Sequence, residues 1–198
     1  MRTPSRERIA RISERTKKKE GLSFRTADIS NLPHEIDTVH RLFTKAWEKN
    51  WGFAPFSKKE FEWICEDIAT IAIPELILFA MVDGKEVGFV LTVPNVNENM
   101  PRSGRLLPFG WLKLLRVKKT KHARLYLLGV VPEYRRRGLE AVMFDETVRR
   151  ANSIGIHAGE VGWTLEDNHL INKSIQAMDG TLDRIYRIYG MKLTPTGA

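Results

Sequence analysis

A basic, glycine-containing turn between an apolar run and a helical pattern is the part of this sequence best suited to chemistry. Residues 127–131 are almost wholly apolar, Arg135, Arg136 and Arg137 follow them, and Gly138 precedes a run with helical periodicity. The first turn of a helix has unpaired N–H groups and the positive end of the helix dipole. Glycine lets ligand oxygens approach the backbone, and arginine binds oxyanions in a bidentate way. The stretch predicts a cradle for an anion or a diphosphate, although a solvent-facing basic turn has the same composition.

The elements that would position this turn predict an α/β fold whose first half is antiparallel. Asp83-Gly84 between two apolar, β-branched runs indicates a hairpin, and Ser57 with Glu60 forms a capping box before a helix that carries Cys65 on its apolar face. Gly155 and Gly180 stand where helices should end. Strands are expected over residues 22–26, 75–82, 85–93, 124–131, 159–165 and 182–189, and helices over 33–49, after 57, over 139–154 and after 168.

At the basic turn the chain resembles the GNAT acetyltransferase superfamily. The residues Val130-x-Pro132-x-Tyr134-Arg135-x-x-Gly138 are similar to the pyrophosphate motif that follows the fourth strand of that family. The predicted order of elements from about residue 22 to 193 also matches the family. The resemblance implies a mixed, mostly antiparallel central sheet flanked by helices and splayed after the fourth strand.

The resemblance also implies a set of residues that bind acetyl-CoA or another acyl-CoA as co-substrate. Backbone groups of the turn and of the first helical turn would hold the pyrophosphate, Arg135 would shape the loop, and backbone groups of the preceding strand would face the thioester and pantetheine. Asn168, at the start of the next helix, is similar to the family's asparagine near the pantetheine. The implied binding residues are Leu128, Val130, Arg135, Arg136, Arg137, Gly138, Leu139, Glu140 and Asn168.

Acyl transfer to an amine requires a base and a proton donor for the leaving thiolate. Glu160 and Glu166 flank the expected fifth strand and are the candidate bases. Tyr189 is a candidate proton donor, with Tyr126, Tyr134 and Tyr186 as alternatives. Trp163 on that strand would line an acceptor pocket or the core. Each carboxylate also fits a surface or capping role. No spacing of cysteine and histidine predicts a metal site.

Two residues depart from the pattern of the family. Glu140 stands at the second small position of the motif, where its carboxylate would lie near a diphosphate. Ile175 stands about seven residues after Asn168, where family members often have a tyrosine. These departures favour a second hypothesis, a catalytically inactive GNAT-like module that binds CoA or an anionic partner.

Composition excludes several classes of protein. The chain has 198 residues, 42% of them hydrophobic, and no stretch long enough to span a membrane. One cysteine permits no intrachain disulfide, and no secretory signal is visible, so we expect a cytoplasmic protein. The domain hypothesis is a basic tail over residues 1–20 followed by a GNAT-like domain over 21–198, and a homodimer through an edge strand is compatible with it.

The positive charge of the chain is concentrated locally. The net charge is +8, yet residues 1–20 alone hold eight basic and three acidic side chains, and residues 102–124 hold eight basic and no acidic ones. The second segment fits an exposed loop with a helical turn packed on the body, and it also fits a lid over the substrates. A third interpretation is a contact with an anionic partner: a membrane surface, an acidic carrier protein that delivers acyl chains, or nucleic acid. No nucleic-acid-binding motif accompanies it, so nucleic acid is not the expected partner. The resemblance to the GNAT superfamily implies a small-molecule or peptide acceptor.

Overall fold

A five-stranded sheet positions the basic turn in the computed structural model of the protein, which describes residues 4–50, 52–100 and 117–191. The sheet order is β1-β2-β3-β4-β5, with β4 and β5 parallel and every other pair antiparallel. This mixed sheet confirms the expected fold class. The strands are β1 (Ser23–Thr26), β2 (Ile77–Val82), β3 (Lys85–Pro94), β4 (His122–Val130) and β5 (Ala158–Val161).

Helices cover both faces of this sheet. They are α1 (Pro4–Glu20), α2 (Leu32–Trp47), α3 (Lys58–Ile71), α4 (Leu139–Ser153) and α5 (His169–Ala177). On one face the Trp47 ring of α2 lies 6.0 Å from the ring of Phe89. On the other face Met143 of α4 contacts the backbone at Gly88, the residue before Phe89. Because neighbouring strand residues point to opposite faces, β3 is covered by α2 on one side and by α4 on the other.

Local sequence signals account for the element boundaries near the site. Ser57 and Glu60 form the predicted capping box at the start of α3. Asp83 and Gly84 both have positive φ angles, 50° and 74°, as a two-residue hairpin turn between β2 and β3 requires. Gly155 follows the C-cap of α4 and has a positive φ angle of 85°, a conformation common for glycine just after a helix. These turns and caps confirm the predictions made from the residues.

The N-terminal segment, for which a loose tail or a frayed helix is expected from the sequence, forms a helix that packs on the rest of the protein. Residues 4–20 form α1, and the helix is docked on α4 through buried Ile9 and Ser13 and through an ion pair of 3.2 Å between Lys17 and Glu146. The predicted strand over 182–189 was wrong: these residues form no strand, and their apolar side chains are exposed. Isolated β-propensity does not make a strand without a neighbour to pair with. Residues 101–116, which hold most of the basic segment, lie outside the described residues.

Candidate acyl-CoA site

The turn after β4 presents backbone N–H groups in the arrangement expected of an anion cradle. Arg136 and Gly138 have positive φ angles of 61° and 82°. Gly138 is the N-cap of α4 and supplies no side-chain cap, while Leu139 is fully buried and anchors the helix start in the core. The N–H groups of the first helical turn have no partner within the helix, and one of them, that of Glu140, bonds to its own carboxylate. A Cβ at position 138 would be in van der Waals contact with the Thr16 side chain of α1, 3.7 Å from its hydroxyl oxygen, without a clash.

Arg135 is a structural residue of this turn. Its Nε donates a hydrogen bond of 3.0 Å to the carbonyl oxygen of Val130, and its guanidinium also donates to the carbonyl oxygen of Ala46 at the end of α2. These bonds tie the turn to β4 and to α2. The contacts agree with the loop-shaping role that the resemblance implies, and one of them already uses the Val130 carbonyl oxygen as an acceptor.

Arg136 and Arg137 both have exposed side chains, but they differ in their partners. Arg137 donates to the carbonyl oxygen of Glu133 at 3.0 Å, pairs with Glu20 of α1 at 3.2 Å, and lies 4.7 Å from the centroid of the Tyr134 ring. In the described part of the chain no ion pair engages Arg136. Arg136 is therefore the arginine of the turn whose charge is most available to a phosphate.

Glu140 lies half-buried in the first turn of α4. Burial raises the pKa of its carboxyl, against the opposing effects of a hydrogen bond from its own backbone N–H and the charge of Arg135. The carboxylate thus competes with any external anion for one of the free amides. A raised pKa also increases the fraction of neutral carboxyl when the pH falls.

Helix α1 adds residues to this site that the sequence reasoning missed. Thr16 lies beside Gly138, and Glu20 pairs with Arg137. Farther along α4, the buried Glu146 is paired with Lys17, Arg149 and Arg150. The spacing of Ile9, Ser13 and Thr16 on one helical face was the available signal, and the surrounding charges obscured it.

Strands β4 and β5 separate before the turn is reached. They pair only over residues 122–125 and 158–161, and the last backbone bond joins the N–H of Gly162 to the carbonyl oxygen of Leu125 at 2.9 Å. From Leu127 to Val130, β4 is paired on its β3 side alone among the described strands, and Tyr126 lies at a register shift where it has no β3 partner. The backbone near Leu128 therefore borders an opening between the two strands, as a splayed sheet predicts.

Trp47 covers β4 next to this opening. A Cβ at Gly129 would lie 2.4 Å from the Trp47 ring, so the indole rests directly on the glycine backbone. The Trp47 ring is stacked on Phe43, with 4.8 Å between centroids. Only glycine permits this approach, which fixes the end of α2 against the strand that leads to the turn.

The structure does not bring the predicted catalytic residues to the turn. Glu160 lies opposite Arg124, 3.4 Å from its Nε, at the paired end of β4 and β5. Glu166 accepts a bond of 2.8 Å from Arg187, and Tyr189 is 89% exposed. Their roles stay predictions.

The remaining residues singled out after β5 have three different surroundings. Asn168 caps α5 by accepting a bond of 3.5 Å from the N–H of Ile171. Trp163 is 79% exposed and has an edge contact with Tyr186. Ile175 is packed against the core, so this position supplies no proton donor.

A groove of about 350 Å³ lies between α3 and the end of the sheet that is remote from the turn. Its apolar walls are Ile64, Ile68, Ile71, Val93, Pro94 and Tyr126. Asp67 and Arg124 also line it. Within the described ranges, no group of three or more His, Cys, Asp or Glu side chains is placed to hold a metal ion. No described helix is long and apolar enough to cross a membrane.

Comparison with known proteins decides the family. The Acetyltransferase (GNAT) family matches residues 36–170, which include the splayed strands and the turn. The chain belongs to the GNAT acetyltransferase family. The family resemblance drawn from the residues around Gly138 is thereby confirmed.

Two curated relatives of this GNAT protein are about twice its length. It is 33% identical over 192 residues to the bacterial ceramide synthase of Caulobacter vibrioides (strain NA1000 / CB15N), covering 91% of this chain and 50% of the relative. It is 28% identical over 193 residues to protein YghO of Escherichia coli (strain K12). That match covers 91% of this chain and 48% of YghO. The chain thus spans about half the length of the curated relatives it matches.

Solved GNAT structures share its fold. An aminoglycoside N-acetyltransferase AAC(6')-Iy in complex with CoA superposes with a TM-score of 0.55 at 15% identity, covering 87% of this chain and 95% of that one. The aminoglycoside acetyltransferase meta-AAC0020 from an uncultured soil metagenomic sample, in complex with sisomicin, superposes with a TM-score of 0.55 at 14% identity. The superposition covers 89% of this chain and 99% of that one. At such identities the likeness shows the fold.

Proposed function

We propose that this GNAT protein transfers an acyl group from acyl-CoA to the amine of an acceptor that carries an aliphatic chain. The observation that carries the proposal is the turn from β4 into α4, with Gly138 as an open N-cap, in a chain of this family. An uncapped helix start with a neighbouring free arginine fits a diphosphate in shape and charge.

Acyl-CoA binds, in this proposal, with its pyrophosphate on the N–H groups of Arg136, Arg137, Gly138, Leu139 and Glu140. Arg136 adds its side-chain charge, and Arg135 keeps the turn in shape through its bonds to Val130 and Ala46. The pantetheine arm then runs into the opening between β4 and β5 beside Leu128, with Asn168 on the α5 side. This path brings the thioester to the point near Tyr126 where the strands part.

The reaction is a direct attack in a ternary complex. The neutral amine nitrogen bonds to the thioester carbon, the carbonyl oxygen takes negative charge, and collapse of the tetrahedral intermediate breaks the carbon–sulfur bond. The amine proton passes to a base, and the CoA thiolate takes up a proton. A backbone N–H of β4 left unpaired by the splay is suited to stabilise the developing oxyanion, since it is fixed before the reaction.

Glu160, Glu166 and Tyr189 remain the proposed groups for these proton transfers. Glu160 is on β5 and closest in sequence to the parting of the strands, so it is the first candidate for the base. Replacement of the true base should lower kcat with little change in KM for acyl-CoA, because the base acts only in the chemical step. We expect Glu160→Gln to lower kcat with little change in KM for acyl-CoA. The control Glu62→Gln, on the surface of α3, should leave both constants unchanged.

The proposed acceptor class rests on the curated relative named ceramide synthase. Ceramide is by definition the amide of a long-chain amino alcohol and a fatty acid. A largely apolar groove that is lined in part by Tyr126, near the proposed position of the thioester, supports an acceptor of the same kind. Acetyl-CoA and palmitoyl-CoA are the two donors to compare, since they differ in the length of the acyl chain.

The experiment is an acyl-transfer assay that detects the amide product by mass spectrometry. Each donor is incubated with sphinganine, dodecylamine, butylamine and an aminoglycoside. The proposal predicts an amide of a long-chain amine that depends on the protein and on acyl-CoA. Binding of acyl-CoA without any amide product would instead support the inactive module that Ile175 and Glu140 suggest.

A further inference from the structure

We infer that the groove between α3 and the ends of β3 and β4 binds the aliphatic chain of the acceptor amine, an inference that rests on the proposed function. The inner wall of the groove is a stripe on α3. Ile64, Ile68 and Ile71 are spaced four and three residues apart, so their side chains share one face of the helix. Val93 and Pro94 of β3 form the facing wall.

The size and lining of the groove suit an alkyl chain. A volume of about 350 Å³ is in the range of small-molecule sites, and its walls are mostly aliphatic. Ile68 and Ile71 are half-buried and also contact the core, whereas Ile64 lines the groove without being part of the core cluster. Covering these side chains with methylene groups removes apolar surface from water, which favours binding in proportion to chain length.

Tyr126 relates the groove to the reaction centre of the proposed function. Tyr126 lines the groove and is also the first residue of β4 beyond the pairing with β5. An acceptor whose chain lies along α3 therefore has its headgroup at the place where the thioester is expected.

The Asp67 carboxylate at the groove favours the acceptor amine, rather than the acyl chain of the donor, as the molecule bound there. The Asp67 carboxylate lines the groove, and no ion pair engages it within the described part of the chain. Arg124, the cation of the groove, has Glu160 at 3.4 Å to offset its charge. An amine is a cation before it loses its proton and is attracted by Asp67, whereas the acyl chain of a thioester has no charge to recognise.

The test is calorimetric titration with dodecylamine and butylamine in the absence of CoA, below the micelle concentration. We expect dodecylamine to bind at least tenfold more tightly than butylamine. Ile64→Asp should abolish this preference. Trp63→Asp should preserve the preference, because Trp63 immediately precedes Ile64 on the same helix but is 67% exposed and does not line the groove. Equal affinity for the two amines in the wild-type protein would overturn the inference.

A second pair of variants tests the charge without disturbing the apolar walls. Asp67→Asn should weaken dodecylamine binding about three- to tenfold, and Glu66→Gln, an exposed neighbour on the same helix, should leave it unchanged. An equal effect of the two substitutions would contradict the role of Asp67 as the rim charge.

Titration of palmitoyl-CoA and acetyl-CoA into the same variants shows whether the groove binds the acyl chain of the donor instead of the chain of the acceptor. A loss of palmitoyl-CoA affinity in Ile64→Asp, with dodecylamine binding unchanged, would overturn the inference because the groove would belong to the donor. Since binding of an amine needs no turnover, a protein that binds dodecylamine in the groove but forms no amide would refute the proposed function alone. Transfer to butylamine and dodecylamine with equal efficiency would refute this inference alone.

Discussion

The replacement Glu146→Gln tests the buried carboxylate that pairs with two arginines of α4 and with Lys17 of α1. The Glu146 side chain is 3% exposed and is paired with Lys17 at 3.2 Å and with Arg150 at 2.8 Å, besides Arg149. Burial acts to raise the pKa of its carboxyl, but hydrogen bonds from Arg149 and Arg150 and the charge of Lys17 outweigh that effect. The pKa falls from the usual 4.5 to about 2.

The magnitude and the pH window follow from this lowered pKa. One pH unit corresponds to about 1.4 kcal/mol, so the ionised carboxylate stabilises the folded protein by about 3 kcal/mol at neutral pH. The stabilisation is present in full above the unfolded pKa of about 4.5 and is lost as the pH falls towards 2. Glu146→Gln should therefore lower the free energy of unfolding by about 2–3 kcal/mol at pH 7, a fall in Tm of about 4–12 °C.

Urea unfolding followed by circular dichroism at pH 7, 5 and 3 measures this free energy. The difference between wild-type protein and Glu146→Gln should be largest at pH 7 and should shrink at pH 3, because the wild-type carboxylate is then losing its charge advantage. Glu62→Gln is the control: its carboxylate is 43% exposed and 3.9 Å from Lys58, so its loss should cost at most about 0.5 kcal/mol. A difference that stayed constant from pH 7 to 3 would refute the electrostatic explanation.

Three further predictions concern the site and its surroundings. Glu140→Gln should tighten acetyl-CoA binding about threefold to tenfold at pH 8 and less at pH 5, because the raised pKa makes the wild-type carboxyl partly neutral at the lower pH; calorimetry that showed weaker binding in the variant would contradict this. Gly129→Ala should destabilise the fold by about 2 kcal/mol or more, because the new methyl group would overlap the Trp47 ring; an unchanged Tm would show that the ring moves freely. Cys65 should react slowly with iodoacetamide at pH 8, since burial raises the pKa of its thiol to about 11; alkylation at the rate of a free thiol peptide would be the opposing result.

The turn and its immediate supports were predictable because their signals are local. An apolar strand, three arginines, Gly138 and a helical run lie within about a dozen residues, and each has one strong conformational preference. The hairpin at Asp83-Gly84 and the capping box at Ser57 are local in the same sense. Such signals depend on backbone preferences of few residues and hold in most tertiary settings.

The features that were missed depend on contacts between distant segments. Helix α1 was expected as a tail because of its charge, yet Lys17 finds its partner at Glu146, 129 residues away. The expected strand over 182–189 has the right residue types and no pairing partner among the described residues. The groove joins Ile64 of one helix to Val93 and Tyr126 of two strands, so no window of the sequence contains it.

Calorimetric titration of acetyl-CoA tests the central claim, that the turn before α4 binds the pyrophosphate of acyl-CoA. The titration is repeated with Gly138→Trp, and with Gly155→Trp as control, because both glycines have positive φ angles, 82° and 85°, near opposite ends of α4. The two variants share the backbone strain, but only a side chain at position 138 obstructs the proposed cradle. We predict micromolar binding to wild-type protein and to Gly155→Trp, and none to folded Gly138→Trp. Undiminished binding to Gly138→Trp would contradict the account.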